Sequence, residues 1–90
     1  MSRAFVGEHE RWGDPSYRVA LPPRGDPEFD AAAAFALLEA ARDGQTGAAE
    51  EATGYFWGEP KLRSHVGAIL ERARTLRDER LVQLCERFLG

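Results

Sequence analysis

The chain has one cysteine, one methionine, two histidines and no asparagine among its 90 residues. Each scarcity narrows the field. A lone Cys85 cannot form an internal disulfide, so a disulfide-stapled secreted scaffold is excluded. His65 has Lys61 and Ile69 rather than ligands one helical turn away, and His9-Glu10 could join it in a metal site only if the N-terminal arm folded back onto it. No apolar run approaches the roughly 20 residues that a membrane span requires. The opening Met1-Ser-Arg-Ala-Phe-Val6 carries neither an apolar leader core nor a cleavage site. The expectation is a cytoplasmic protein without membrane contact.

What is present fits one small globular domain. At 43% hydrophobic and 30% charged residues, the chain can close a modest core and lies outside the disordered range. Arginine far outnumbers the single Lys61, and alanine is abundant. That bias suggests a GC-rich bacterial genome, so basic residues carry less functional weight here. The formal net charge of -3 implies no particular partner. The charge is uneven: residues 1–58 are acidic on balance and residues 59–90 slightly basic.

Residues 1–25 do not read as helix. Gly7, Gly13, Pro15, Pro22, Pro23 and Gly25 punctuate them, and consecutive prolines impose an extended backbone. Tyr17, Val19 and Leu21 alternate with Arg18 and Ala20, the period of a short strand. Without a strand partner in the chain, that segment must lie over the helices or pair with a symmetry mate. An extended arm over 1–25 and a helical domain over 26–90 are therefore expected.

Four helical stretches follow. Asp26-Pro27-Glu28 reads as a helix start, with Asp26 as cap and Pro27 in the first position. This helix carries Phe29, Ala32, Ala33, Ala36, Leu37 and Ala40 along one stripe, with Phe35 and Leu38 widening it, and stops near Gly44. A shorter Ala-rich helix spans Thr46 to Thr53. Pro60 opens a third, with Leu62, Val66, Ile69, Leu70, Ala73 and Leu76 at helical spacing. Asp78 can cap a last one bearing Leu81, Val82, Leu84, Cys85, Phe88 and Leu89; the alternative is that the third helix runs on through Arg77-Asp78. The fold class is all-α: three to four helices in antiparallel hairpins, with an expected core of Phe29, Ala33, Leu37, Ala40, Trp57, Val66, Ile69, Leu70, Leu81, Leu84, Cys85 and Phe88. Residues 36–42 echo residues 68–74, which admits two stacked hairpin repeats. The alternative is that Ala, Leu, Glu and Arg fill any helix of this composition.

No residue pattern signals catalysis. A nucleophilic Cys85 would need a nearby base, and the sequence points to none; on the inner face of its helix it reads as a small hydrophobe. Glu50-Glu51 and Asp78-Glu79 are adjacent pairs that do not share a helix face. No phosphate-cradling glycine loop and no Gly-x-Ser-x-Gly occur. Hence no catalytic residue, no metal ligand and no cofactor is expected.

The most informative segment is Gly54-Tyr-Phe-Trp-Gly-Glu-Pro60. Three consecutive aromatics cannot all face one core, and exposed aromatics are the usual anchors of binding hot spots. Tyr55 and Trp57 could instead plug the end of the core while Phe56 covers a side. Tyr55, Phe56 and Trp57, with Tyr17 and Val19 of the strand-like segment, form the expected partner-binding set.

Residues 61–89 also have the outline of a helix–turn–helix, but Arg63, Arg72, Arg74, Arg77 and Arg80 alternate with Glu71, Asp78 and Glu79, as on a solvated face. Nucleic acid is not the favoured partner. The opening Met1-Ser-Arg-Ala-Phe-Val-x-Glu8 resembles the start of some bacterial Gre-type transcription elongation factors. That resemblance covers eight positions, transfers no residue role, and implies at most a setting near transcription. Three functions are thus in view. The leading one is a non-enzymatic protein-interaction domain, a homodimer included. The others are a nucleic-acid-associated or transcription-related regulator and a small-molecule-binding domain, the latter needing a cleft that contains His9 or His65.

Overall fold

A computed structural model describes residues 17–90, and everything below concerns those residues. The expectations placed on residues 1–16, including His9 and the Gre-like opening, lie outside them. Among the described residues the regular structure is entirely helical: α1 (Phe29–Arg42), α2 (Thr46–Thr53), a single 3-10 turn (Pro60–Leu62), α3 (Arg63–Leu76) and α4 (Glu79–Leu89). None is long and apolar enough to cross a membrane.

Asp26 starts the entry to α1 without being its cap. Its Oδ1 accepts the Glu28 N–H at 2.7 Å and its carbonyl accepts the Phe29 N–H at 2.9 Å. The aspartate thus folds a turn, and the helix proper begins three residues later. Helix α1 is the centre of the molecule and packs against α2, the 3-10 turn, α3 and α4. Its Ala33, Ala34, Leu37, Leu38 and Ala40 are completely buried. The expected inner stripe was set slightly off. Phe35 is 48% exposed while the smaller Ala34 is enclosed, because the buried arc runs through Ala34 and Leu38 and leaves Phe35 beyond its edge.

Helices α3 and α4 are joined by Arg77 and Asp78 alone. Val66, Leu70 and Ala73 of α3 meet Leu81, Leu84, Cys85 and Phe88 of α4 in one core with α1. Leu76 shares the helical spacing yet is 70% exposed, since it falls at the rim of that stripe in the last turn. Trp57 and Ile69, expected inside, pack against the core while staying partly exposed. Ala49 and Leu62 are fully buried additions.

Both long helices end in the same way. After α1, the Gln45 N–H reaches the Ala40 carbonyl and the Gly44 N–H reaches Ala41. After α3, the Asp78 N–H reaches Ala73 and the Arg77 N–H reaches Arg74. These are Schellman closures, which place one residue in the left-handed region. Gly44 takes that place at φ 72° and Arg77 at φ 59°. Counted back from these two closures, Phe29 falls in step with Leu62, Ala33 with Val66, Leu37 with Leu70, and Ala40 with Ala73, all of them buried. That pairing is one residue out of step with the sequence echo. The backbone of α2 approaches α1 but not α3 or α4, so the hairpins meet through α1 alone.

Polar contacts at the rim fix this geometry. Asp78 Oδ1 accepts the Leu81 N–H at 3.2 Å and caps α4, while Oδ2 accepts from Arg42 at 3.0 Å. The cap and then the guanidinium hold its carboxyl below the ordinary carboxylate range. A depressed folded-state pKa adds stability above the unfolded value, lost as pH falls through the folded one.

Three substitutions test this account of stability. Gly44→Ala should destabilise by about 1 kcal/mol, because a Cβ there meets no atom within 4 Å and only the left-handed backbone resists it; Arg77→Gly should stabilise by roughly 0.5 kcal/mol, with urea titration reading both. Asp78→Asn should lower the melting temperature at neutral pH, and its deficit relative to the unaltered chain should close as pH drops below about 4; a deficit constant with pH would remove the carboxylate from this role.

Candidate interaction surface

The aromatic loop is built by hydrogen bonds that begin in α2. Thr53, fully buried, donates its hydroxyl to the Ala49 carbonyl at 2.8 Å and accepts the Tyr55 N–H at 3.1 Å. Gly54 ends α2 in the left-handed region at φ 80°. The absence of a side chain there also admits Arg24, whose Nη2 would lie 2.8 Å from a Cβ. The Arg24 guanidinium in turn sits 5.2 Å from the centre of the Phe29 ring, a cation–π distance. Gly58, third in the turn closed by the Glu59 N–H on the Phe56 carbonyl at 3.1 Å, takes φ 89°, which glycine adopts without penalty.

The two outer aromatics are committed to the body. The Tyr55 hydroxyl donates to Asp30 Oδ1 of α1 at 2.7 Å. That bond, with some desolvation, raises the phenol above its ordinary pKa. The Tyr55 ring lies 6.4 Å from that of Phe29. Trp57 meets Phe88 of α4 edge-on, with centroids 5.0 Å apart, and its backbone N–H donates to Glu50 Oε2 at 2.9 Å. Arg63 completes the frame by donating to the Leu89 carbonyl at 2.8 Å, at the end of α4. Between these fixed neighbours Phe56 projects outward and is 75% exposed.

Tyr17 and Val19 lie elsewhere. With Leu21 they pack, partly buried, on the chain's own core, while Arg18 and Ala20 face outward. The Tyr17 hydroxyl is 3.4 Å from Asp43 Oδ2; desolvation first, and then that carboxylate, raise its pKa. The strand-like alternation is therefore met by α1, against whose Ala32, Phe35 and Ala36 the segment lines a shallow depression of about 270 Å³. The structure does not bring these two residues to the aromatic loop in any recorded contact.

Two further depressions flank α4. One of about 400 Å³ is lined by Arg74, Arg77, Glu79, Val82 and Gln83. The other, about 290 Å³, lies where Trp57, Ala41 and Thr46 face Arg80, Leu84 and Arg87. Sequence reasoning passed over the last set because its members come from four separate segments; the spacing of Arg80, Leu84 and Arg87 along one helix was the available signal. His65 is half-buried on α3 and lines none of these three. Cys85 is buried, and desolvation pushes its thiol pKa up. Among the described residues no group of three or more His, Cys, Asp or Glu could hold a metal ion.

The fold and surface thus define a small all-helical domain with a braced loop that presents one aromatic side chain. Comparison with protein-family models, with curated proteins and with solved structures finds no match for the chain.

The division of labour within the triplet is measurable. Trp57→Ala should cost roughly 3 kcal/mol, as for other large aromatic truncations against a core. Phe56→Ala should stay within about 0.5 kcal/mol of the unaltered chain. Equal losses in denaturant titration would mean that Phe56 is part of the core after all.

Proposed function

We propose that the chain is a non-enzymatic protein-interaction domain whose primary anchor is Phe56, with a second copy of the chain among its candidate partners. The observation that carries this reading is a large apolar side chain, 75% exposed, on a loop fastened on both sides. An exposed phenylalanine is ordinary by itself. Here Tyr55 is pinned to Asp30 and Trp57 to Glu50 and Phe88, so the intervening backbone is ordered before any partner arrives. Preorganisation of this kind lowers the entropic cost of binding, and a rigid aromatic is the typical hot-spot residue. Tyr55 and Trp57 then act as supports, with their outer edges completing the contact. Tyr17 and Val19 supply a separate, smaller apolar strip beside the half-exposed Phe35.

Because Trp57 also packs against the core, the test uses Phe56 alone. Phe56→Ala should weaken association by about tenfold or more, the scale of a hot-spot loss, with far-UV helicity unchanged. Association is read for partners by tagged capture from nuclease-treated native-host lysate, and for self-association by sedimentation over a concentration series. Capture and sedimentation both unaltered by the substitution would remove the loop from the account.

A further inference from the structure

The side chains of four described arginines, Arg72, Arg77, Arg80 and Arg87, make no ion pair or hydrogen bond among the described residues, and Arg80 and Arg87 line one groove together. Arg24 stacks on Phe29, Arg42 pairs with Glu39 and Asp78, Arg63 holds the Leu89 carbonyl, and Arg74 pairs with Glu71 and Glu86. Arg80 and Arg87 make no ion pair or hydrogen bond among the described residues, and both are exposed. They stand seven positions apart on α4, two helical turns or about 10 Å, and Leu84 lies between them on the same side. Together they rim the groove of about 290 Å³ whose other wall is Ala41, Thr46 and Trp57.

The groove combines an apolar floor with a cationic rim. Leu84 is almost fully buried, and Trp57 and Ala41 are partly so. The acids nearest to the two arginines in sequence face other groups: Glu86 lies 3.7 Å from Arg74, and Glu79 lines the neighbouring depression. Helix α2 begins at Thr46, on the groove, and carries no acid in its first turn, unlike α1 and α4. Its positive dipole end adds to the field of the arginines, while Glu50, one turn further along α2, is held on the Trp57 N–H at the groove's other wall.

We propose that this groove binds an acidic, extended segment of a partner protein. Two carboxylates engage Arg80 and Arg87, and an apolar side chain between them rests on Trp57 and Leu84. Charge complementarity selects the acid, and the mixed lining selects a peptide over a bare ion. The spacing fits: a polyproline-II segment repeats its face every third residue, advancing about 9 Å, close to the separation of the arginines. The proposal rests on the interaction reading above but on different atoms, since Phe56 does not line this groove.

The test uses the full chain carrying Trp12→Phe, which leaves Trp57 as the sole indole, and the capped peptide acetyl-Pro-Glu-Leu-Pro-Glu-Pro-amide. Indole fluorescence should change saturably. The Gln-for-Glu peptide, and separately the Arg80→Gln/Arg87→Gln chain, should each bind about tenfold more weakly or worse. Added salt should weaken binding, and Arg72→Gln on α3 should leave it unchanged. No saturable response, or equal affinity for the Glu and Gln peptides, overturns the proposal. So does displacement of the peptide by an equal concentration of glutarate, which would mark a small-acid site. Self-association abolished by Arg80→Gln/Arg87→Gln would assign the groove to a second copy, and duplex DNA held by the same two arginines would assign it to phosphate; either result also overturns it. The effect of Phe56→Ala on association is read independently, so the two readings can fail separately.

Discussion

Seven alanines between Phe29 and Arg42 leave the backbone of α1 approachable from several directions, and the other elements use that access. A helix lined with Leu or Phe would hold its neighbours farther off and fill a wider gap; alanine holds them close. Ala33, Ala34 and Ala40 have no exposed surface at all, so a larger side chain at any of them would overpack the junction. The same economy explains how 74 described residues support a core with only a few large residues at its centre, chiefly Leu37, Leu38, Leu62 and Val66.

Since α1 sets the middle, the polar contacts are free to work at the edges. Arg42 at its far end joins Asp78 in the α3–α4 link, and Asp30 near its start receives Tyr55 from the aromatic loop. One helix thereby registers both the cap of α4 and the loop that carries Phe56. The loop is closed from the other side by Phe88 against Trp57 and by Arg63 on the last carbonyls of α4. Its outward aromatic is thus positioned by contacts with three helices, although its own sequence is short and irregular.

The helical class and the stretch at Thr46–Thr53 were legible because capping residues and 3.6-residue spacing are local signals; the count stayed at three to four, and the Arg77-Asp78 link settles it at four among the described residues. Helix α4 was read most fully. Leu81, Leu84, Cys85 and Phe88 contrast sharply with Glu79, Arg80, Glu86 and Arg87, and all four are buried. In α1 that contrast is absent, since alanine scores alike on either face; the choice between Ala34 and Phe35 depended on which arc met α3 and α4, which is tertiary information. Within the aromatic triplet, sequence indicated that at least one ring would remain exposed, but not which one. The answer depends on Asp30 and Phe88, each more than twenty residues away. The spacing of Arg80, Leu84 and Arg87 on α4 was visible in the sequence, but not the opposite wall of Ala41, Thr46 and Trp57, which comes from three other segments.

Cys85 carries one last consequence. A buried thiol whose pKa is raised by desolvation presents almost no thiolate to an oxidant or an alkylating agent. With no second cysteine in the chain, Cys85 has no disulfide partner within it. Its one thiol packs as a small hydrophobe in either an oxidising or a reducing medium, so Cys85 places no demand on the compartment in which the protein resides.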